Sequence, residues 1–416
     1  MPGLSADELR SIARERAARV GRYVFGAVVV TLVGAFVSVQ WLRPIPAPVF
    51  RSAPLASVRL PGTPPSMPWP TMGTAALSVE GVGSLGHSGD THASPVPGLA
   101  QVMTAYVVLQ DHPLAPGADG PAIPVTAATL ATYQSDVATQ QATVPVAAGE
   151  SLTELESLEG LLVVGGDDVA TLLAEWDDGS TGAFVAKMNV TARGLGMDST
   201  TFDDPSGLDP GSVSTPADMI RLGEAALAIP AFRQIVATAQ VTLPLAGLVY
   251  NTDYDLGQDG IVGIKTGSNA ATGGCFLFAA QRTVDGRNVT VVGAVLGQQT
   301  VSPTAAAVDD AEPLVSAAFA TISTFRAVRS GHFIGQIVAP WGPSTVVTAP
   351  KSVTVVGWPG LTVRFHVHVG ALPSAISSGA RIGVLKVDLG DQDIDLILRA
   401  PSRLPGPSTI WRLTRL

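Results

Sequence analysis

The longest apolar run in the chain extends from Tyr23 to Trp41 without a single charged residue. At ~1.5 Å per helical residue, ~19 residues span roughly 28 Å, close to the hydrocarbon thickness of a bilayer. Arg10, Arg14, Arg16, Arg19 and Arg22 precede it, against Asp7, Glu8 and Glu15. That predicts a basic cytoplasmic tail over 1–22, a transmembrane anchor over 23–41 and an N-terminus inside, with Tyr23 and Trp41 at the two interfaces. A cleaved signal peptide is the rival reading of the same run. The long n-region and the lack of a small-x-small site directly after the run favour an uncleaved single-pass anchor in the cell membrane. Everything after Arg43 is then expected outside the cell.

Beyond the anchor the pattern changes repeatedly. Pro44, Pro46, Pro48, Pro54, Pro61, Pro64, Pro65 and Pro68, with Pro70 just beyond, mark 42–68 as an extended, Pro-rich linker without a core of its own. Alternation in 74–79 and 83–87 around Glu80-Gly81 predicts a hairpin. Apolar residues at 99, 102, 103, 106 and 109 follow helical spacing, with Pro95 and Pro97 at the start. Residues 111–150 read as loop with weak strand signals. Ser151-Leu152-Thr153-Glu154 predicts a capping box and a helix to about Val164. Gly165-Gly166-Asp167 breaks that helix, and Asp167 or Asp168 can cap another ending near Trp176. Further helices are predicted from Ala183 to the Gly194–Met197 break and from Thr215 to about Ala228. Gly260–Ile264 and Cys275–Ala280 read as two strands joined by a Gly-rich turn. From about Ser330, short alternating runs (352–356, 362–369 and 381–388) predict a small all-β domain. The expected class is α+β: a main domain over 69–328 and a C-terminal β domain over 329–416.

Charge and composition narrow the function. A net charge of −9 gives a nucleic-acid partner no electrostatic support. The single cysteine, Cys275, excludes an intramolecular disulfide and sits in an apolar run, as a buried small hydrophobe would. His87, Asp90 and His92 contain plausible zinc-ligand types, but a polar hairpin end explains them more simply. His366 and His368 share one face of a strand. Asp391, Asp393 and Asp395 alternate likewise, without the glycine and closing glutamate of a calcium loop. No cofactor or metal is expected.

The candidate chemistry begins at Lys265-Thr266-Gly267, on the rim of a predicted strand. Several other stretches accompany it in order: Gln101-Val102-Met103-Thr104-Ala105, Phe184-Val185-Ala186-Lys187-Met188-Asn189, Gly194-Leu195-Gly196-Met197 and Asp204-Pro205-Ser206-Gly207-Leu208-Asp209. Together, over about residues 69–325, they resemble the D-alanyl-D-alanine carboxypeptidases. These are the low-molecular-mass penicillin-binding proteins of serine peptidase family S11, and the likeness is strongest to actinobacterial members with an N-terminal anchor. The resemblance implies a penicillin-binding-protein or serine β-lactamase-like transpeptidase fold. It also implies hydrolysis of the terminal D-Ala-D-Ala bond of peptidoglycan stem peptides through a serine acyl-enzyme.

Two of the three family motifs are altered. Where the family has Ser-x-x-Lys, with the lysine taking the serine's proton, this chain reads Gly98-Leu99-Ala100-Gln101. A glycine cannot attack and a neutral amide cannot serve as base. Where the family has Ser-Gly-Asn, this chain reads Gly165-Gly166-Asp167, and the added negative charge opposes a ligand carboxylate. Lys265, Thr266 and Gly267 are retained, and the resemblance gives them the binding of the substrate carboxylate. Ser94 and Thr104 are the nearest hydroxyls that could replace the missing nucleophile. The expectation is an inactive, membrane-anchored relative that binds stem peptides or a wall-synthesis protein. The alternative is an active carboxypeptidase with a relocated nucleophile.

Overall fold

The computed structural model describes residues 6–54 and 57–415. The apolar run lies in one helix, Ala6–Leu42, of which Ile12–Leu42 is long and apolar enough to cross a membrane. The Arg-bearing stretch expected as a separate tail continues this helix from Ala6 onward. Arginine and alanine are good helix formers, and only Gly21, with no proline, separates them from the apolar run, too little to stop the helix.

The main domain is built on a five-stranded antiparallel sheet. Its strand order is Ile261–Asn269, Gly273–Val284, Arg287–Gln298, Thr74–Val79 and Gly83–Ser88. Asp285-Gly286, both at positive φ, make the tight turn between the second and third strands. One face of the sheet buries Phe276, Phe278, Val291 and Val295 against Val308, Ala311, Leu314 and Val315 of the helix Pro303–Thr321. The other face packs on a helical lobe containing Ala100–Asp111, Asp167–Asp178, Thr181–Gly194 and Pro216–Leu227. The helix Ala100–Asp111 is buried on almost every side, as its nearly continuous apolar sequence requires. Its N-terminal end opens toward the sheet edge.

Several local expectations shift. Residues 111–150 contain a helix, Ala127–Ala138, capped by the Thr126 hydroxyl. The capping box is formed by Thr153 and Glu156, not from Ser151: Glu156 N–H donates to Thr153 Oγ1, and Thr153 N–H donates to Glu156 Oε2. Ser151 instead lies in a short strand, Ser151–Thr153, paired with Ala122–Pro124. The following helix widens into a π-turn over Gly160–Val164 and ends at Gly165, whose φ of 87° suits glycine. Gly166, rather than either aspartate, caps the next helix, placing Asp167 and Asp168 in its first turn.

The Pro-rich stretch is more than a spacer. Val49–Ser52 pairs with Phe333–Val338 and Val58–Arg59 pairs with Thr362–Val369, each as an edge strand of the C-terminal β domain. Leu60 joins that domain's core. Proline already holds the backbone extended, and an edge strand leaves one side of its ladder unpaired, so the Pro-free pieces fit there. The strand Ser323–Val328 also pairs within this domain, with Val353–Gly357, so the β domain starts before 329. The guanidinium of Arg415, just past the helix Thr409–Thr414, donates to the backbone oxygens of Gln40, Arg43 and Pro44. Residues 40–44 and Arg415 therefore meet at the C-terminal end of the long helix.

Candidate binding cleft

Three pieces of chain converge between the sheet edge and the helical lobe. They are the start of the helix Ala100–Asp111, the turn after the π-helical segment, and the strand Ile261–Asn269. They enclose a cleft of about 300 Å³ whose lining includes Gly98, Gln101, Gly165, Asp167, Lys265, Thr266 and Gly267. All seven positions singled out in the sequence come together there. A larger hollow of about 860 Å³ lies in the C-terminal β domain, beside the loop 370–380. Its lining is mostly backbone and aliphatic side chains with His368 and Arg381, so the convergent polar groups belong to the smaller cleft.

Gly98 turns the chain into the helix at φ +70°. A Cβ there would stand 3.0 Å from Gly267 Cα, so the wall is closed to the smallest side chain without a shift. Gly267 is tighter still, since a Cβ would lie 2.0 Å from Pro97 O. Gln101 is 1% exposed. Its Nε2 donates to Gly165 O at 3.0 Å and to Asp167 Oδ1 at 2.9 Å. Two acceptors on that side dictate which way the amide points. Its Oε1 is left buried without a partner among the described residues. A Cβ at Gly165 would stand 3.1 Å from Lys265 Nζ and 3.8 Å from that same Oε1. The missing side chain thus leaves a gap between an amine and an unpaired oxygen.

The strand wall holds the cation. Lys265 is buried, and its Nζ donates to the Thr266 carbonyl at 2.9 Å. Burial pushes its pKa down to about 8, against the opposing pull of Asp167 and Asp253. Burial pushes Asp167 up to about 7; Lys265 and the Gln101 hydrogen bond oppose the rise, while Asp136 and Asp204 add to it. Asp253, next to Thr252 of the lining, is pushed up to about 6 by burial. Its Oδ2 has no partner among the described residues. Thr266 Oγ1 donates to Thr252 Oγ1 at 2.8 Å.

The relocated-nucleophile candidates lie elsewhere. Ser94 sits in a two-residue strand opposite Ser214 and does not line the cleft. Thr104 is fully buried, and its hydroxyl donates to Pro205 O at 2.7 Å. The His92 ring contacts the Asp90 carboxylate in an exposed loop. His87 and Asp90 border a separate pocket with Asp218 and Arg221. His366 lies 3.5 Å from Asp388 on the surface of the β domain. Cys275 is fully buried, and burial raises its thiol to about 12. Thr252, Asp253, Gln140 and Gln141 belong to the cleft or its rear wall and escaped sequence reading. No periodicity or motif marks them, and only the tertiary approach of their segments brings them in.

Chemically, the cleft offers one ammonium, one carboxylate, the amides of Gln101, Gln140 and Gln141, the hydroxyls of Thr252, Thr266, Ser268 and Thr304, and backbone groups. At the helix start, where an acyl-transfer nucleophile and its base would stand, there is no side chain and a neutral amide.

The family model described as D-alanyl-D-alanine carboxypeptidase (peptidase S11) matches residues 87–300, just over half of the chain. The D-alanyl-D-alanine carboxypeptidase DacB2 of Mycobacterium tuberculosis is 40% identical over 161 residues, covering 36% of this chain and 55% of that protein. A D-alanyl-D-alanine carboxypeptidase of a Streptomyces species is 31% identical over 170 residues, covering 37% and 57%. The matches thus span about half the length of these curated relatives. Penicillin binding protein 5 from Haemophilus influenzae shares the fold with a TM-score of 0.60 at 21% identity, over 82% of this chain and 99% of that one. A Streptomyces DD-transpeptidase variant gives a TM-score of 0.54 at 26% identity, over 60% and 99%.

Proposed function

Because this chain belongs to the D-alanyl-D-alanine carboxypeptidase family and carries glycine and glutamine at the family's nucleophile and base positions, we propose that it is a catalytically inactive, carboxypeptidase-like protein of the cell wall. It acts by binding, either to peptidoglycan stem peptides in the cleft or to a wall-synthesis protein. The long N-terminal helix anchors it in the cell membrane, with the N-terminus cytoplasmic and the folded domains outside.

One observation carries this reading. Gln101 is tied by its amide nitrogen to Gly165 O and Asp167, and a neutral amide at the base position has no basic site to take a proton. Removing both nucleophile and base from a serine hydrolase costs orders of magnitude in rate and leaves only binding and polar stabilisation. Neither Ser94 nor Thr104 reaches the cleft, which weighs against the active alternative.

The test is labelling of the full chain in detergent with a fluorescent penicillin, read on a denaturing gel. The expected result is no covalent band from folded protein. A band would overturn the inactive reading, and mapping the acylated residue would then identify the relocated nucleophile.

A further inference from the structure

We propose that the cleft selects a peptide end bearing a carboxamide over one bearing a free carboxylate. This deepens the peptide-binding reading above and rests on it.

The retained triplet suggests a carboxylate site, but its side-chain donors are turned inward. Lys265 Nζ donates to the Thr266 carbonyl, and the Thr266 hydroxyl donates to Thr252 Oγ1. The threonine's one proton is committed, and the lysine keeps its remaining hydrogens beside the gap at Gly165. Gln101 Oε1 also borders that gap, 3.8 Å from where a Gly165 Cβ would stand, an acceptor on a residue 1% exposed and without a partner among the described residues. A buried acceptor left unpaired is stabilised by a ligand that brings a donor. A carboxylate brings none. A carboxamide brings both halves: its oxygen accepts from Lys265, and its NH₂ donates to Gln101 Oε1.

The charges around the gap point the same way. Lys265 is the one cation lining the cleft among the described residues, and Asp167 lines it too. Asp253 lies next to Thr252 of the lining, and Asp136 and Asp204 act on Asp167 from neighbouring elements. The helix starts at Ala100 and Asp167 direct positive dipole ends toward the cleft and favour an anion. At the second start, Asp167 and Asp168 in the first turn already answer the dipole. One ammonium facing a lining carboxylate and a buried one nearby leaves no net positive charge for a ligand carboxylate, whereas a neutral amide meets no repulsion.

The test measures binding of two synthetic peptides ending in D-Ala-D-Ala, one a free acid and one a C-terminal carboxamide, to the full chain in detergent by fluorescence anisotropy. The pH is held between the Asp167 and Lys265 titrations, so that both groups are mainly charged. The carboxamide is expected to bind roughly tenfold more tightly, the effect of one hydrogen bond to a charged or buried group. Asp167→Asn is expected to restore affinity for the free acid and shrink the preference. Equal or tighter binding of the free acid to the unmodified chain overturns the carboxamide proposal and leaves peptide binding intact. Binding of neither peptide overturns peptide binding itself, and the selectivity proposal with it.

Discussion

The two walls of the cleft have diverged unequally. In the proposed reading the helix wall, carrying Gly98, Gln101, Gly165 and Asp167, lacks the hydroxyl, amine and amide that the family motifs supply. The strand wall keeps Lys265, Thr266 and Gly267. Packing accounts for only part of this asymmetry. Gly267 is pinned by Pro97 O, where no side chain fits. Lys265 has no such excuse, since burying an ammonium is unfavourable and a methionine would fill similar volume. In the reading proposed above, a binding role accounts for the buried lysine beside Gly98 and Gln101.

The largest expected effect tests the packing half of that contrast. Gly267→Ala drives a methyl into the Pro97 carbonyl and should destabilise the protein by about 2–3 kcal/mol, lowering the thermal midpoint by roughly 5–10 °C. An unchanged midpoint in calorimetry would show the walls to be less tightly apposed than described.

Lys265→Met sharpens the other half. Peptide affinity should fall about tenfold, while stability holds or rises as a buried charge is removed. A large loss of stability with unchanged affinity would make the whole triplet architectural and erase the asymmetry.

Acidity probes both walls together. Asp167 and Asp168 are raised to about 7 and Asp253 to about 6, from an ordinary 3.8. Carboxyls raised on folding favour the folded state most below their unfolded pKa, and that contribution is lost as pH rises from about 4 toward 7. Lys265 is lowered to about 8 from 10.5, so its unfavourable contribution fades as pH rises from about 8 to about 10.5. These four groups together should give a stability minimum between about pH 7 and 8, steeper on the acid side, where three carboxyls act, than on the alkaline side. Thermal melts across this range should show it, and Asp167→Asn should flatten the acid-side slope by up to several degrees, one pKa unit being about 1.4 kcal/mol. A slope indifferent to Asp167→Asn would mean that this carboxyl is not desolvated as described.

The smallest expected change comes from Gly98→Ser combined with Gln101→Lys. Gly98 sits at φ +70° against Gly267, so a serine there is strained and displaced. Penicillin labelling should stay at background. Covalent labelling of this double variant would show that the helix wall had lost side chains but kept its catalytic geometry.

How much of this was legible in the sequence follows the range of the forces involved. The hairpin 74–88, the Thr215-capped helix and the paired strands around Lys265 announce themselves through local alternation and capping. The helix Ala127–Ala138 does not, because it is mostly exposed and buries only Thr129, leaving no apolar stripe. The capping box slid by two residues because Ser151 and Thr153 are equal local candidates, and the pairing of Ser151–Thr153 with Ala122–Pro124 decides between them. In the cleft, motif order identified seven positions. The bonds of Gln101 and the presence of Thr252 and Asp253 arise only when distant segments meet. The edge strands in the Pro-rich stretch are the extreme case, since their partners lie hundreds of residues away.

That last feature governs how the protein must be made. Arg59 finds the carbonyl of Gly360 across 301 positions, and the Arg415 guanidinium reaches Pro44 across 371. During synthesis, residues 49–60 emerge early and wait, with unpaired ladder groups, until the whole intervening domain has been produced. Contacts of such separation are slow to close and leave an exposed strand edge in the interval. The prolines that bracket those strands, Pro48, Pro54 and Pro61, are then useful in a second way: they keep each waiting edge short, and a short edge is a poor template for pairing with the wrong chain.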